Sequence, residues 1–221
     1  MFNNIAPNYD FLNHFLSLGI DILWRKKVIK LLKGEKPKTI LDVATGTADF
    51  AIETLKLNPD KIYGVDLSEK MLAVGRKKIL NKSLADKIEL LAGDAENLPF
   101  NDSTFDIITV GFGVRNFENL EKGLTDMHRV LKENGKVAIL EFSKPNAYLL
   151  KKIYLFYFLK ILPLIGKIIS KDNAAYTYLP QSVLAFPDGE KFITILQNTG
   201  FKNCKCYPLT FGISSIYIGE K

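Results

Sequence analysis

Only two cysteines and two histidines occur among the 221 residues. A disulfide scaffold is thereby excluded, and a reducing compartment is the simplest reading. Cys204 and Cys206 lie two apart on a predicted strand and so share a face. No Cys or His nearby completes the roughly four ligands of a structural zinc, so no metal is expected. No run reaches about 18 uninterrupted apolar residues, and a conventional spanning helix is not expected. The N-terminal MFNNIAPNYDF lacks the basic start and apolar run of a signal peptide, which leads us to expect a cytoplasmic protein. No internal repeat or low-complexity tract is visible. Apolar residues make up 47%, enough for a sizeable core, which excludes wholesale disorder.

Acid is missing from particular stretches. The chain carries 30 Lys+Arg and 24 Asp+Glu, a net +6. Residues 1–38 hold seven basic and three acidic residues, and residues 144–171 hold six lysines and no acid. The remainder has seventeen basic against twenty-one acidic residues, a net −4. A basic total suits nucleic acid, an anionic membrane or simple solubility, and the distribution has to decide.

From Thr39 the chain alternates short β-rich runs with helical patterns, the mark of βαβ units and a parallel sheet. Strands are predicted at Thr39–Val43, Lys61–Val65, Ile88–Leu91, Phe105–Val110 and Lys136–Leu140. Helices are predicted at Ala48–Leu57, Glu69–Lys82 and Asn119–Lys132, the last stopped by Asn134-Gly135. A helix over Asp188–Thr199 and strands over Lys202–Tyr207 and Ser214–Gly219 complete an α/β, doubly wound, Rossmann-like sheet of seven mostly parallel strands. Two segments stand outside this rhythm and are the two basic ones: a helical stretch over residues 1–34 and a very apolar insertion over residues 148–170.

The first strand runs into Leu41-Asp42-Val43-Ala44-Thr45-Gly46-Thr47-Ala48-Asp49. A strand, a small-residue turn and a helix place backbone N–H groups to hold an anion. A phosphate would be the default, yet the G-x-G-x-x-G fingerprint is absent: Ala44, Gly46 and Ala48 stand in its place. Twenty residues beyond Gly46, Asp66 ends the second strand where a carboxylate accepts from ribose hydroxyls. Asp94 follows the third strand and suits an exocyclic amine, and Gly111-Phe112-Gly113 follows the fourth. Taken singly, Gly46 reads equally as a turn glycine, Asp66 as a helix cap and Asp94 as a solvated loop acid. Their joint register at consecutive strand ends argues for a cofactor site.

That register resembles the class I methyltransferases that use S-adenosylmethionine. Residues Phe2 to Asn13, Phe112-Gly113-Val114-Arg115-Asn116, Leu140-Glu141-Phe142-Ser143-Lys144-Pro145 and Tyr176-Thr177-Tyr178-Leu179-Pro180-Gln181-Ser182 are similar to the menaquinone and ubiquinone biosynthesis C-methyltransferases. The motifs cover nearly the whole chain in that family's order. The resemblance implies cofactor contacts at Thr47, Asp66, Asp94 and Ala95, and Gly46 and Gly111 are further cofactor candidates. Ala48 stands where many members have glycine, and Gly111 where many have serine, which leaves at best a backbone contact there. It also implies one domain over 1–221: a helical substrate cap at 1–38, the cofactor core at 39–143, an apolar lid at 144–187 and a closing helix and strands at 188–221.

The implied reaction is C-methylation of demethylmenaquinol to menaquinol, with a polyprenyl benzoquinol as the alternative. Methyl transfer from a sulfonium is an in-line displacement in which orientation supplies about 7–11 kcal/mol. A quinol carbon becomes nucleophilic when a neighbouring hydroxyl loses its proton, so the site needs a proton acceptor and donors for the phenolate. Arg115, Asn116 and Tyr9 are the catalytic candidates, with Asp10 and His14 beside them. Arg115 stays protonated and suits an oxyanion or a polarised water rather than a base; its other reading is a surface ion pair. Tyr9 is a ring-hydroxyl partner or a lid packing residue. His14 is the chemical choice for a base, but its amphipathic surroundings favour an uninvolved histidine, and His128 reads as structural or solvent-facing. Asp49 is either an orienter of the methionine amino group or a helix cap.

In the insertion, Lys152, Lys160, Lys167 and Lys171 fall in a narrow arc at about 100° per residue, although Pro163 interrupts the phase. A basic stripe on an apolar helix suits a membrane surface, and the same segment suits a lid over the site. Both fit a polyprenyl quinol, and a homo-oligomer stays open. The rival of the same fold is an RNA or protein methyltransferase. Its Asn/Asp-Pro-Pro-aromatic tetrad is missing after the fourth strand, and no aromatic-interleaved basic platform offers to stack bases. No nucleic-acid partner is expected. A non-catalytic binding module is a further rival.

Overall fold

Alternate residues of the central strands point to opposite faces of one sheet, and both faces are covered. The computed structural model describes residue 17, residues 19–145, residue 152 and residues 173–221. The strands are β1 (Thr39–Val43), β2 (Lys61–Asp66), β3 (Ile88–Ala92), β4 (Phe105–Gly111), β5 (Leu131–Phe142), β6 (Lys202–Leu209) and β7 (Ser214–Glu220). They form one sheet in the order β3-β2-β1-β4-β5-β7-β6. The first five are parallel, and β7 lies antiparallel between β5 and β6. The predicted doubly wound sheet is therefore present.

Helices α1 (Ile20–Leu32), α2 (Asp49–Thr54) and α3 (Glu69–Asn81) precede α4 (Leu120–Val130), α5 (Asn173–Ala185) and α6 (Glu190–Asn198). Ile40, Ile107, Ala138 and Leu140 pack with Trp24, Val28 and Leu32 of α1, Phe50 of α2 and Leu72 of α3. Leu41, Ile108, Val137 and Ile139, one residue out of phase, pack with Leu124 and Met127 of α4 and Phe192 and Leu196 of α6. Each such aliphatic side chain contributes about 1.5–3 kcal/mol by leaving water. Ser68 caps α3 by accepting from the Met71 N–H at 3.3 Å, and Asn119 caps α4 by accepting from the Lys122 N–H at 3.0 Å.

One boundary differs from expectation. Asn134-Gly135 is not a helix terminator: α4 ends at Val130 and β5 already begins at Leu131. Phe105 pairs with Leu131 but Ile107 pairs with Lys136, so the intervening residues bulge out of the ladder with Asn134 at φ 61. Lys132 leaves that bulge to meet Asp106 at 2.8 Å. The helical periodicity of residues 119–132 ran on into a strand irregularity. At the other end, Thr54 passes into a 3-10 turn at Leu55–Leu57, so the predicted helix after β1 is shorter and starts one residue later, with Ala48 as its N-cap. Tyr9, Asp10, His14 and the 148–170 insertion, apart from Lys152, lie outside the described residues.

Candidate active site

The turn after β1 sets the geometry. Ala44, Gly46 and Ala48 take left-handed φ values of 53, 56 and 68, alternating along the turn where a dinucleotide site would carry its glycines. An alanine held there costs about 1–2 kcal/mol. Gly75 of α3 makes room for the turn, since a Cβ on it would stand 2.8 Å from Leu90 Cδ1 and 3.2 Å from the Thr47 carbonyl carbon. At Gly46 nothing but the Met71 Cε approaches a notional Cβ, at 4.0 Å, so glycine leaves the cleft open.

Beneath the turn, Asp42 is buried and accepts from the hydroxyls of Thr45 and Thr109, both at 2.6 Å. Burial pushes its pKa up to about 6 in spite of those bonds. Asp66, at the end of β2, accepts from the N–H groups of Gly46 and Ser68, each at 2.8 Å, and burial raises its pKa. The capping role belongs to Ser68, which frees the Asp66 carboxylate to face the cleft. Asp94 is exposed and accepts from the Glu96 N–H at 2.9 Å, and Ala95 beside it is buried.

These elements bound a cleft of about 300 Å³. Gly46, Asp66, Asp94, Ala95, Gly111 and Asn116 all line it. Of the sequence candidates, Thr47, Asp49 and Arg115 do not. Thr47 accepts from Lys78 Nζ at 3.3 Å, and Asp49 pairs with Lys78 and, at 3.8 Å, with Arg25. Gly111 faces the cleft with its backbone because Phe50 Cδ1 stands 2.9 Å from where its Cβ would be. Leu67, Met71 and Phe117 supply apolar walls that the motifs did not mark, although Leu67 and Met71 follow Asp66 closely in the chain.

Past β4, the 3-10 turn Val114–Asn116 is held from two sides. Arg115 is not a surface arginine. Its guanidinium is buried against Glu141 of β5, with Nη1 2.8 Å from Oε1, and it also donates to the Phe112 carbonyl and lies over the Phe142 ring at 5.5 Å. Glu141 is fully buried and accepts from the Phe142 N–H at 2.8 Å; burial raises its pKa while Arg115 opposes the rise. Among the described residues Arg115 Nε has no hydrogen-bond partner. Asn116 donates from Nδ2 to the Phe112 carbonyl at 3.3 Å, and its Oδ1 accepts from the Tyr178 hydroxyl of α5 at 3.1 Å. Glu141 and Tyr178 stand inside runs already singled out by resemblance, but nothing local in those runs announces a partner so far along the chain.

His128 packs edge-on against Phe201 at 5.1 Å. Cys204 and Cys206 are free, half-buried and packed on one core, and burial raises both thiols. Among the described residues no helix is long and apolar enough to cross a membrane.

The donor set of the cleft identifies what it can hold. Asp66, Asp94, Glu96 and Glu118 line it, and among the described residues no Lys, Arg or His does. Such a surface repels the phosphates of a dinucleotide and attracts a cation. The two strand-end carboxylates are placed where they can accept from ribose hydroxyls and an amine, and Leu67, Met71 and Ala95 offer apolar walls that suit a purine. S-adenosylmethionine, a sulfonium without phosphate, fits these residues.

Comparison with known proteins agrees. The chain is 48% identical over 222 residues to a demethylmenaquinone methyltransferase of Bacteroides fragilis, covering 100% of this chain and 91% of the relative. It is 49% identical over 225 residues to one of Chlorobaculum tepidum, with coverage of 100% and 90%. A ubiquinone/menaquinone biosynthesis C-methyltransferase of Geotalea uraniireducens is 46% identical over 223 residues, with coverage of 100% and 94%. In fold, the chain is similar to a putative S-adenosylmethionine-dependent methyltransferase of Methanococcus maripaludis, with TM-score 0.71, 21% identity and coverage of 100% and 94%. It is also similar to a Haemonchus contortus phosphoethanolamine N-methyltransferase in complex with S-adenosylmethionine, with TM-score 0.64, 16% identity and coverage of 89% and 52%. A model of the ubiE/COQ5 methyltransferase family matches residues 1–221, and the chain belongs to that family.

Proposed function

We propose that the chain transfers the methyl group of S-adenosylmethionine to a ring carbon of demethylmenaquinol, working at the face of the membrane that stores the quinone. The observation that carries the reading is the acidic, phosphate-excluding cleft whose wall includes Asn116. When bound, S-adenosylmethionine supplies an electrophilic methyl group on a cationic sulfur. Asp66 and Asp94 hold the adenosine half, and Glu118 adds negative charge on the same wall as Asn116. Asn116 presents a neutral amide donor to a ring oxygen that gives its proton to water, which stabilises the phenolate and leaves the neighbouring carbon nucleophilic; once that carbon has taken the methyl group it gives its own hydrogen to water as a proton, and the ring oxygen is reprotonated. Arg115 holds the turn in place through Glu141, and being permanently protonated it does not serve as the base. Tyr9 is the remaining candidate for the ring hydroxyl. The substrate relation follows the demethylmenaquinone methyltransferases at 48–49% identity, and membrane contact follows from the lysines of the 144–171 stretch and a polyprenyl substrate.

The test is to incubate the protein with methyl-labelled S-adenosylmethionine and anionic vesicles carrying demethylmenaquinol, with added RNA in a parallel sample. Label is expected in the lipid extract as menaquinol. Label in the RNA or protein precipitate, or none transferred at all, would overturn the reading.

A further inference from the structure

Asn116 is the polar side chain common to the cleft wall and the contact with α5, and its amide has two ends with different chemistry. Oδ1 accepts and Nδ2 donates two hydrogens. One Nδ2 hydrogen goes to the Phe112 carbonyl at 3.3 Å. The Tyr178 hydroxyl donates to Oδ1 at 3.1 Å across 62 residues of chain. With Oδ1 engaged and one hydrogen used, the group left over on Asn116 among the described residues is the second N–H.

The Phe112 bond alone does not hold this arrangement well. At 3.3 Å it lies beyond the usual range for N–H···O, and rotation about the side chain would exchange a donor for an acceptor. Between the Val114–Phe117 segment and α5 lies a second cavity of about 420 Å³, bordered by Arg115, Phe117, Tyr178 and Gln181. Packing across that gap is therefore incomplete, and the tyrosine hydroxyl is the polar tie that bridges it to Asn116. We infer that Tyr178 is a positioning residue that sets the amide of Asn116 with its donor end toward the cleft. The inference deepens the proposed reaction and rests on it. It gives the Tyr176–Ser182 run a chemical duty: an element distant in sequence selects which end of Asn116 a developing phenolate meets.

The test compares Tyr178→Phe, Asn116→Ala and the double variant, using a short-tailed demethylmenaquinol. Tyr178→Phe keeps the ring and removes only the hydroxyl. Its kcat is expected to fall about tenfold, the scale of one misplaced hydrogen bond in a transition state. Calorimetric affinity for S-adenosylmethionine and the melting temperature should stay near those of the parent. Adding Tyr178→Phe to Asn116→Ala should cost nothing more. Unchanged kcat in Tyr178→Phe, or the same tenfold loss in the Asn116→Ala background, would overturn the inference. A readout free of turnover separates it from the reaction itself. In 15N-labelled protein the Asn116 side-chain NH2 resonances should shift or broaden in Tyr178→Phe. Unaltered resonances sink the positioning role, whereas altered resonances in a protein whose parent methylates no quinol sink only the proposed substrate.

Discussion

Two carboxylates are buried at strand ends on either side of β4, and the chain accommodates them in opposite ways. Asp42 on β1 is 1% exposed and meets two hydroxyls; Glu141 on β5 is 0% exposed and meets a guanidinium. By strand alternation Asp42 shares the face of Ile40, under α2, and Glu141 shares the face of Ile139. Asp42 shapes a backbone turn, a task that neutral hydrogen bonds perform. Glu141 must hold a cation beneath the Val114–Asn116 turn, and only a formal charge offsets burying Arg115. The cofactor half of the cleft is thus built on a carboxyl free to change protonation. The half next to α5 is built on a pair that cannot lose either member.

The difference breaks most visibly at Glu141. Glu141→Ala leaves the Arg115 charge buried without a counter-ion, and a loss of about 3–5 kcal/mol is expected in urea unfolding. Replacing both members, with Glu141→Leu and Arg115→Met, should recover most of that stability while still disturbing the turn that carries Asn116. If the single variant stays within about 1 kcal/mol of the parent, the pair is not what holds the turn, and the contrast with Asp42 fails.

The same contrast explains what the sequence made legible. Asp66 and Gly46 are tied together within one βαβ unit, so strand ends and small-residue turns were enough to bring them to one cleft, whereas the helix cap falls on Ser68 rather than Asp66. Ala44, Gly46 and Ala48 were visible as a fingerprint in which alanine replaces two of the glycines, and all three are left-handed. Arg115 was marked as functional by its position, but its partner is 26 residues away on another strand, and Tyr178 is 62 residues from Asn116. Pairings of that kind depend on how the sheet and α5 assemble, which no local periodicity encodes. Asn134-Gly135 misled for a related reason. The dipeptide signals a change of direction, and whether that ends a helix or bulges a strand is decided by Phe105 and Ile107 opposite.

The next effect is one of pH. Asp42 carries a pKa of about 6 in the folded chain against an ordinary 3.8, so between these values the native state binds more protons than the unfolded one. Its favourable contribution is complete below about pH 4 and is lost as the pH rises through 6, a change of about 3 kcal/mol over the window. Asp42→Asn does not titrate. The stability of the parent minus that of Asp42→Asn should therefore decline by about 2.5 kcal/mol between pH 4 and 7, measured by urea unfolding at constant ionic strength. Other carboxylates cancel in the difference. A flat difference would mean that Thr45 and Thr109 hold the charged form as well as water does, and the two buried carboxylates would then be alike.

Asp66 sharpens the comparison from the surface side, because it is only partly buried and its duties are divided between backbone and ligand. Asp66→Asn retains one acceptor for the N–H groups of Gly46 and Ser68 but loses the charge. The fold should lose no more than about 1.5 kcal/mol, the worth of one hydrogen bond. Affinity for S-adenosylmethionine, measured by calorimetry, should fall about 100-fold, since charge-assisted bonds to the ribose hydroxyls and complementarity to the cation are lost together. Asp94→Asn, at an exposed position where the carboxylate also accepts from a single backbone N–H, should cost about tenfold. Equal losses at the two positions would show that the cleft acts through its summed negative charge. The expected hierarchy instead assigns recognition to the directed bonds of Asp66, at the strand end where the same carboxylate shapes the turn and faces the ligand.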